Sequence, residues 1–340
     1  MLPSRTKLHL ATILTITAAT AHAQTATCVN DAPSPYHLVT DWAHLPRPMA
    51  ATNNVNVDAH DNIWLADRCE DSGCAASSLA PVWEISPSGQ VLRNIGAGLF
   101  AYPHAAVPDR EGNVWVVDNQ AKNGKGMQVM KLSPEGKVLI ALGKAGQAGT
   151  GLDVFDQPDS VLLAPNGDIL VAEGHAPTFG NSRIMRFDKH GKFLTTFGHV
   201  GSGDGEFKSP HVIVFDSQGR IFVADRSNNR VDILDRDGKF IAAWHQFGRP
   251  SGVWIDKNDT LYVTDSQSED APGKDTNNPG CKRGIRIGSA KTGKVDYYIP
   301  PPPVADPSTI PPPEGIAVDS HGNIYAAAVQ AKTVYKYVKN

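Results

Sequence analysis

The sequence has little net charge, only four cysteines and, beyond its N-terminus, no long apolar run. Each shortage excludes a class of function. A formal net charge of −3 with no basic cluster offers no electrostatic footprint for nucleic acid. No CxxC pair occurs, so zinc-ribbon spacing is excluded. The G-x-S-x-G elbow of serine hydrolases is missing too. Gly201-Ser202-Gly203-Asp204-Gly205 lacks the strand-to-helix context that a nucleotide loop needs. After Leu8–Ala21 no apolar stretch is long enough to span a bilayer.

The N-terminus reads as an export signal. Arg5 and Lys7 precede Leu8–Ala21, and Ala21-His22-Ala23 forms an A-x-A cleavage site. Residues 1–23 are therefore expected to be a signal peptide. Residues 24–340 are expected to form one exported domain, periplasmic or secreted, and monomeric. Outside the reducing cytosol Cys28, Cys69, Cys74 and Cys281 can pair in three ways. Cys69–Cys74 is the local choice, and it leaves Cys28 with Cys281.

What the sequence has in abundance is turns, with 31 glycines and 25 prolines. They punctuate a repeat, seen most clearly in Ser209–Arg226, SPHVIVFDSQGRIFVADR. A Pro entry leads into an apolar strand, a turn and a second apolar strand. Six copies align on the turn, with second strands Ile63–Asp67, Val114–Asp118, Ile169–Glu173, Ile221–Asp225, Leu261–Asp265 and Ile324–Ala328. Third and fourth strands follow in most copies, such as Arg230–Leu234 and Phe240–Trp244. Four antiparallel strands per repeat of roughly 40–60 residues make a β-propeller blade. The fold class is all-β, a six-bladed propeller. The sixth copy stops after its third strand, and the spare segment Tyr36–Trp42 is expected to supply the fourth and latch the ring. Arg68–Ala80 and Ser266–Gly284 are insertions in blades 1 and 5, and Pro300–Pro303 with Pro311–Pro313 marks a stiff crossing to blade 6.

The residue eight positions before each turn opens each innermost strand. In order it is Asn53, His104, Asp159, His211, Ser251 and Glu314. All are polar, as suits a ring around a wet channel. His104, His211 and Glu314 fall on alternate blades, a trigonal arrangement about the axis. Two imidazoles and a carboxylate suit Zn²⁺ with an open position. A second ring follows the second strands and includes Arg68 and Arg226, whose forks suit a carboxylate at the channel mouth. The acids that end five of those strands read as structural ties.

At these residues the chain resembles the NHL-repeat propellers, and specifically the peptidyl-α-hydroxyglycine α-amidating lyases. PHAAVPDREGNVWVVD places His104 on that family's first zinc histidine. SPHVIVFDSQGRIFVADRSNNRV places His211 on the second and Arg226 on an active-site arginine; Arg68 matches the other arginine. In PPEGIAVDSHGNIY the third histidine is replaced by Glu314, and the acid that helps hold a structural Ca²⁺ is replaced by Gly315. In AEGHAPTFGNSRI the catalytic tyrosine position holds His175. The resemblance implies a zinc-dependent lyase that cleaves an α-hydroxyglycine-like substrate, a peptide C-terminus or small molecule, into an amide and glyoxylate. His175 would be the base and Arg68 and Arg226 the carboxylate clamp. A metal-dependent lactonase-like hydrolase and a non-enzymatic NHL-repeat scaffold are the alternatives.

Overall fold

The computed structural model describes residues 28–302 and 312–340, and its strands form six antiparallel four-stranded sheets. The first strands of neighbouring blades pack against one another around a central axis. The second strands run Ile63–Ala66, Val114–Asp118, Ile169–Glu173, Ile221–Asp225, Thr260–Asp265 and Ile324–Ala328, within one residue of expectation. The leader at 1–23 and the segment 303–311 of the crossing lie outside the described residues.

The hairpin turn explains why the repeat is so regular. Asp58, Asp109, Asp216, Asp256 and Asp319 each accept the backbone N–H groups two and four residues on. This side-chain bond competes with strand extension and fixes the reversal. The fourth turn residue then has positive φ, at Asp61, Gly112, Gly167, Gly219, Asp259 and Gly322. Only Gly, or Asp and Asn at small cost, adopts that conformation readily.

Apolar residues fill the spaces between blades. Trp83, Val55 and Leu65 of blade 1 meet Ala317 and Tyr325 of blade 6, for example, across the point where the ring closes. Such interfaces make each blade depend on its neighbours. Closure uses the strand Tyr36–Val39, which pairs antiparallel with Thr333–Lys339 as the outer strand of blade 6. Trp42 then donates from Nε1 to Val334 O at 2.9 Å and sets its ring edge-on to Tyr325. Both disulfides have the expected pairing, Cys28–Cys281 and Cys69–Cys74. The first ties the N-terminal segment to the blade 5 insertion, and Arg286 in the following strand, Gly284–Ser289, donates to Val29 O and Asn30 Oδ1.

The strand-ending acids do the positioning. Asp67, Asp118, Glu173, Asp225 and Asp265 are fully buried, and each accepts a backbone N–H from the segment entering its own first strand: Ala50, Ala101, Asp156, Lys208 and Arg249. Immediately after that tie the strand register slips, at Pro103/Ala105, Pro158/Ser160, Pro210/Ile213 and Pro250/Gly252. The ring residues His104, Asp159, His211 and Ser251 thus stand in β-bulges, which re-aim a side chain out of the alternating pattern.

Candidate metal centre at the propeller axis

All six ring residues are buried, from 0% exposed at Asp159 and Ser251 to 8% at Glu314. Three imidazoles converge among them, two from the ring and one from a loop. The ring centroids of His104 and His211 are 4.9 Å apart, and His175 lies 5.7 Å from the first and 5.4 Å from the second. One ligand atom from each of His104, Asp159, His175 and His211 falls within 4.8 Å of all the others. Glu314 stands outside that mutual group, but its Oε1 is 3.1 Å from His211 Nε2.

The backbone sets the tautomers. His104 Nδ1 is 2.8 Å from Asp159 O, and His211 Nδ1 is 2.6 Å from Ser251 O. A carbonyl can only accept, so both Nδ1 atoms carry the proton and both Nε2 atoms present a lone pair. Among the described residues neither Nε2 has a hydrogen-bond partner, and Asp159 Oδ2 has none either. Burial, with the other imidazoles, holds His104 far below the ordinary histidine range; burial and Arg226 lower His211. Both rings are therefore neutral near pH 7. Buried neutral imidazoles with oriented, unpartnered Nε2 atoms beside carboxylates are the donor set of a divalent-metal site. The residues present fit such an ion.

His175 arrives from blade 3. It follows Gly174, whose φ is 116° and whose missing Cβ would fall 2.4 Å from Phe179 O. Only glycine lets the loop fold back so closely, and Phe179 N closes it by donating to His175 O. His175 Nδ1 donates to Ala176 O at 2.7 Å, and its Nε2 accepts from Arg226 Nη2 at 3.0 Å. Burial and the Arg226 charge lower its pKa to about 3.

The two arginines differ. Arg226 is 1% exposed, and its Nη1 donates to Glu314 Oε1 at 3.2 Å. Burial would raise the Glu314 carboxyl, but the Arg226 charge beside it outweighs burial and holds the group below the usual carboxylate range. Asn53 completes this corner, donating to Glu314 Oε1 at 3.3 Å. Arg68 instead stacks its guanidinium over the Tyr102 ring at 4.1 Å and has no carboxylate partner among the described residues. Its field reaches His104 and Glu314.

The sequence-expected residues lie close together: the His104, His175 and His211 rings pack against one another, Glu314 touches His211 and Arg226, Arg226 reaches His175, and Arg68 stacks on Tyr102. Sequence reasoning passed over Asp159 as a donor, Asn119 as its partner, and Tyr102 as the platform for Arg68. Asp159 was visible as a ring position, but nothing in one dimension shows that blade 3's ring residue reaches blade 2's histidine.

The family described as NHL repeat matches residues 207–234, the first three strands of blade 4. Peptidyl-glycine alpha-amidating monooxygenase B of Xenopus laevis is 30% identical over 88% of this chain and 35% of its own length. Peptidyl-alpha-hydroxyglycine alpha-amidating lyase 1 of Drosophila melanogaster is 32% identical over 46% of this chain and 30% of its own length. The chain spans about a third of the length of these curated relatives. Among solved structures, a streptogramin B lyase matches with a TM-score of 0.57 at 14% identity, covering 90% of this chain and 98% of that one. The WD40 propeller domain of Doa1 matches with a TM-score of 0.54 at 13% identity, covering 90% and 97%. At such identities these structures speak to the fold alone. The chain is an NHL-repeat six-bladed β-propeller that resembles the peptidyl-α-hydroxyglycine α-amidating lyases.

Proposed function

We propose that the protein is an exported metal-dependent lyase of the amidating type. It would cleave the C–N bond of an α-hydroxyglycine-like substrate to release an amide and glyoxylate. The observation that carries this reading is the convergence of neutral His104 and His211, both with unpartnered Nε2 atoms, on one point flanked by His175, Glu314 and two arginines. The similarity to amidating relatives over most of the chain supports it.

His104, His211 and Glu314 would hold the ion, Zn²⁺ being the first candidate. When bound, such an ion acts as a Lewis acid and lowers the pKa of a coordinated hydroxyl. The chain's own residues do the rest. Arg68, with no carboxylate partner among the described residues, receives the substrate's terminal carboxylate and anchors it at the mouth. His175 is held neutral with Nε2 as acceptor, so it takes the proton of the substrate hydroxyl once Arg226 turns to the substrate. The C–N bond then breaks as the C=O of glyoxylate forms, and its electron pair goes to the amide nitrogen. The proton held on His175 completes the amide, so atoms and charges balance. Burial around the axis excludes water and strengthens each polar contact.

The test is metal content and turnover together. Purified protein should carry one divalent ion per chain, and His104→Ala with His211→Ala should abolish both the ion and glyoxylate release. A protein without metal whose activity survives both substitutions would refute the reading.

A further inference from the structure

Asp159 has no part in the scheme above, yet it is the most deeply buried acid at the axis. Asn119 donates to its Oδ1 at 2.9 Å and to Pro158 O at 2.9 Å, which fixes the carboxylate plane against the bulge. Its Oδ2 has no partner among the described residues. Burying a carboxylate with one oxygen unmatched is costly unless a cation compensates.

The position of His104 sharpens the point. Asp159 holds that ring through its own main-chain carbonyl, which turns the Nε2 lone pair toward the axis, and its Oδ1 lies 3.7 Å from that same Nε2. On the other side of the ring, His211 Nε2 and Glu314 Oε1 are 3.1 Å apart and likewise make no hydrogen bond from Nε2. In each pair a lone pair faces a carboxylate oxygen. Two acceptors side by side in a buried space repel unless a cation is shared between them. Ligand atoms on one divalent ion, at bond lengths of about 2.0–2.1 Å, sit about 3.0–3.4 Å apart. The His211–Glu314 separation of 3.1 Å falls within that range, and the His104–Asp159 separation of 3.7 Å lies just beyond it.

We propose that Asp159 is a direct protein ligand, so that two imidazoles and two carboxylates, His104, His211, Asp159 and Glu314, hold the axial ion. The proposal rests on the metal reading of the site and changes its character. Four protein ligands would close a tetrahedral ion, so a substrate hydroxyl can join only at a five- or six-coordinate one. Mixed nitrogen and oxygen donors of that number suit Co²⁺, Mn²⁺ and Fe²⁺ as well as an expanded Zn²⁺.

The deciding variant is Asp159→Asn, which keeps an oxygen for Asn119 and removes the charge. Metal-stripped full-length protein is titrated with Co²⁺, following its visible d–d absorption and competition with a chelator, alongside the melting temperature of the stripped protein. The expected result is a stripped variant at least as stable as wild type that binds Co²⁺ at least tenfold more weakly, with a changed spectrum. Asp159→Ser, the residue blade 5 carries at this ring position, gives the same readout should the amide disturb folding. Unchanged affinity and spectrum in either folded variant would overturn the proposal alone. A wild-type protein that takes up neither Co²⁺ nor Zn²⁺ would overturn the metal reading and the proposal with it.

Discussion

Arg226 bridges Glu314 and His175: Nη1 lies 3.2 Å from Glu314 Oε1 while Nη2 lies 3.0 Å from His175 Nε2. One guanidinium therefore compensates a buried carboxylate and fixes which imidazole nitrogen accepts. Arg68 does neither. The two arginines thus have separable roles, and their variants should fail in different ways.

Arg226→Met should be severely destabilising. It leaves Glu314 buried without its cation, a change that costs about 3–5 kcal/mol when one partner of a buried pair is removed. Adding Glu314→Gln should recover much of that loss. Urea unfolding of metal-stripped protein checks both; a single variant within 1 kcal/mol of wild type would show that the pair is not coupled.

Arg68→Met should leave folding nearly intact, because the guanidinium makes no ion pair among the described residues and the unbranched Met side chain can fill the space it leaves over the Tyr102 ring. The expected effect is a rise in KM of about tenfold or more with kcat less affected, as when ground-state and transition-state binding are lost together. Steady-state kinetics with a substrate lacking the carboxylate should abolish the difference between variant and wild type.

The stripped protein should lose stability on acidification. His175 has a folded pKa near 3, whereas the unfolded imidazole titrates near the ordinary value of 6.5. Between those values the unfolded chain binds a proton that the folded chain refuses, so the unfolding free energy falls as pH drops below about 6.5. The contribution of His175 reaches about 2 kcal/mol by pH 5. Urea midpoints at pH 7 and pH 5 should differ less in His175→Gln than in wild type.

The disulfides should contribute unequally. Cys28–Cys281 spans 253 residues and Cys69–Cys74 only five. Constraint of the unfolded chain predicts about 5 kcal/mol for the first and about 2 kcal/mol for the second. Paired Cys→Ala variants measured by thermal unfolding should keep that order.

The fold was legible in the sequence because one local device repeats. The Asp that opens five of the six turns and the positive-φ residue that follows in all six mark the first hairpins, and the acid fourteen residues after each ring position marks five of the six entries. The latch was legible as well, since Tyr36–Trp42 is a strand without a partner in its own repeat. The site was legible in part. Ring positions can be read by register, so His104, His211 and Glu314 were named as one group. Register says nothing of reach, however. The bulge that turns Asp159 toward His104, and the backfolded loop after Gly174 that carries His175 to Arg226, depend on tertiary ties that leave no periodic trace.

Product analysis decides whether the axial site performs this cleavage. Metal-loaded protein is incubated with an N-acyl-α-hydroxyglycine, and amide and glyoxylate are quantified against the spontaneous reaction. The expected result is equimolar amide and glyoxylate well above the background rate, abolished by chelation and by His104→Ala. Decay at the spontaneous rate in the presence of fully metallated wild-type protein would contradict it.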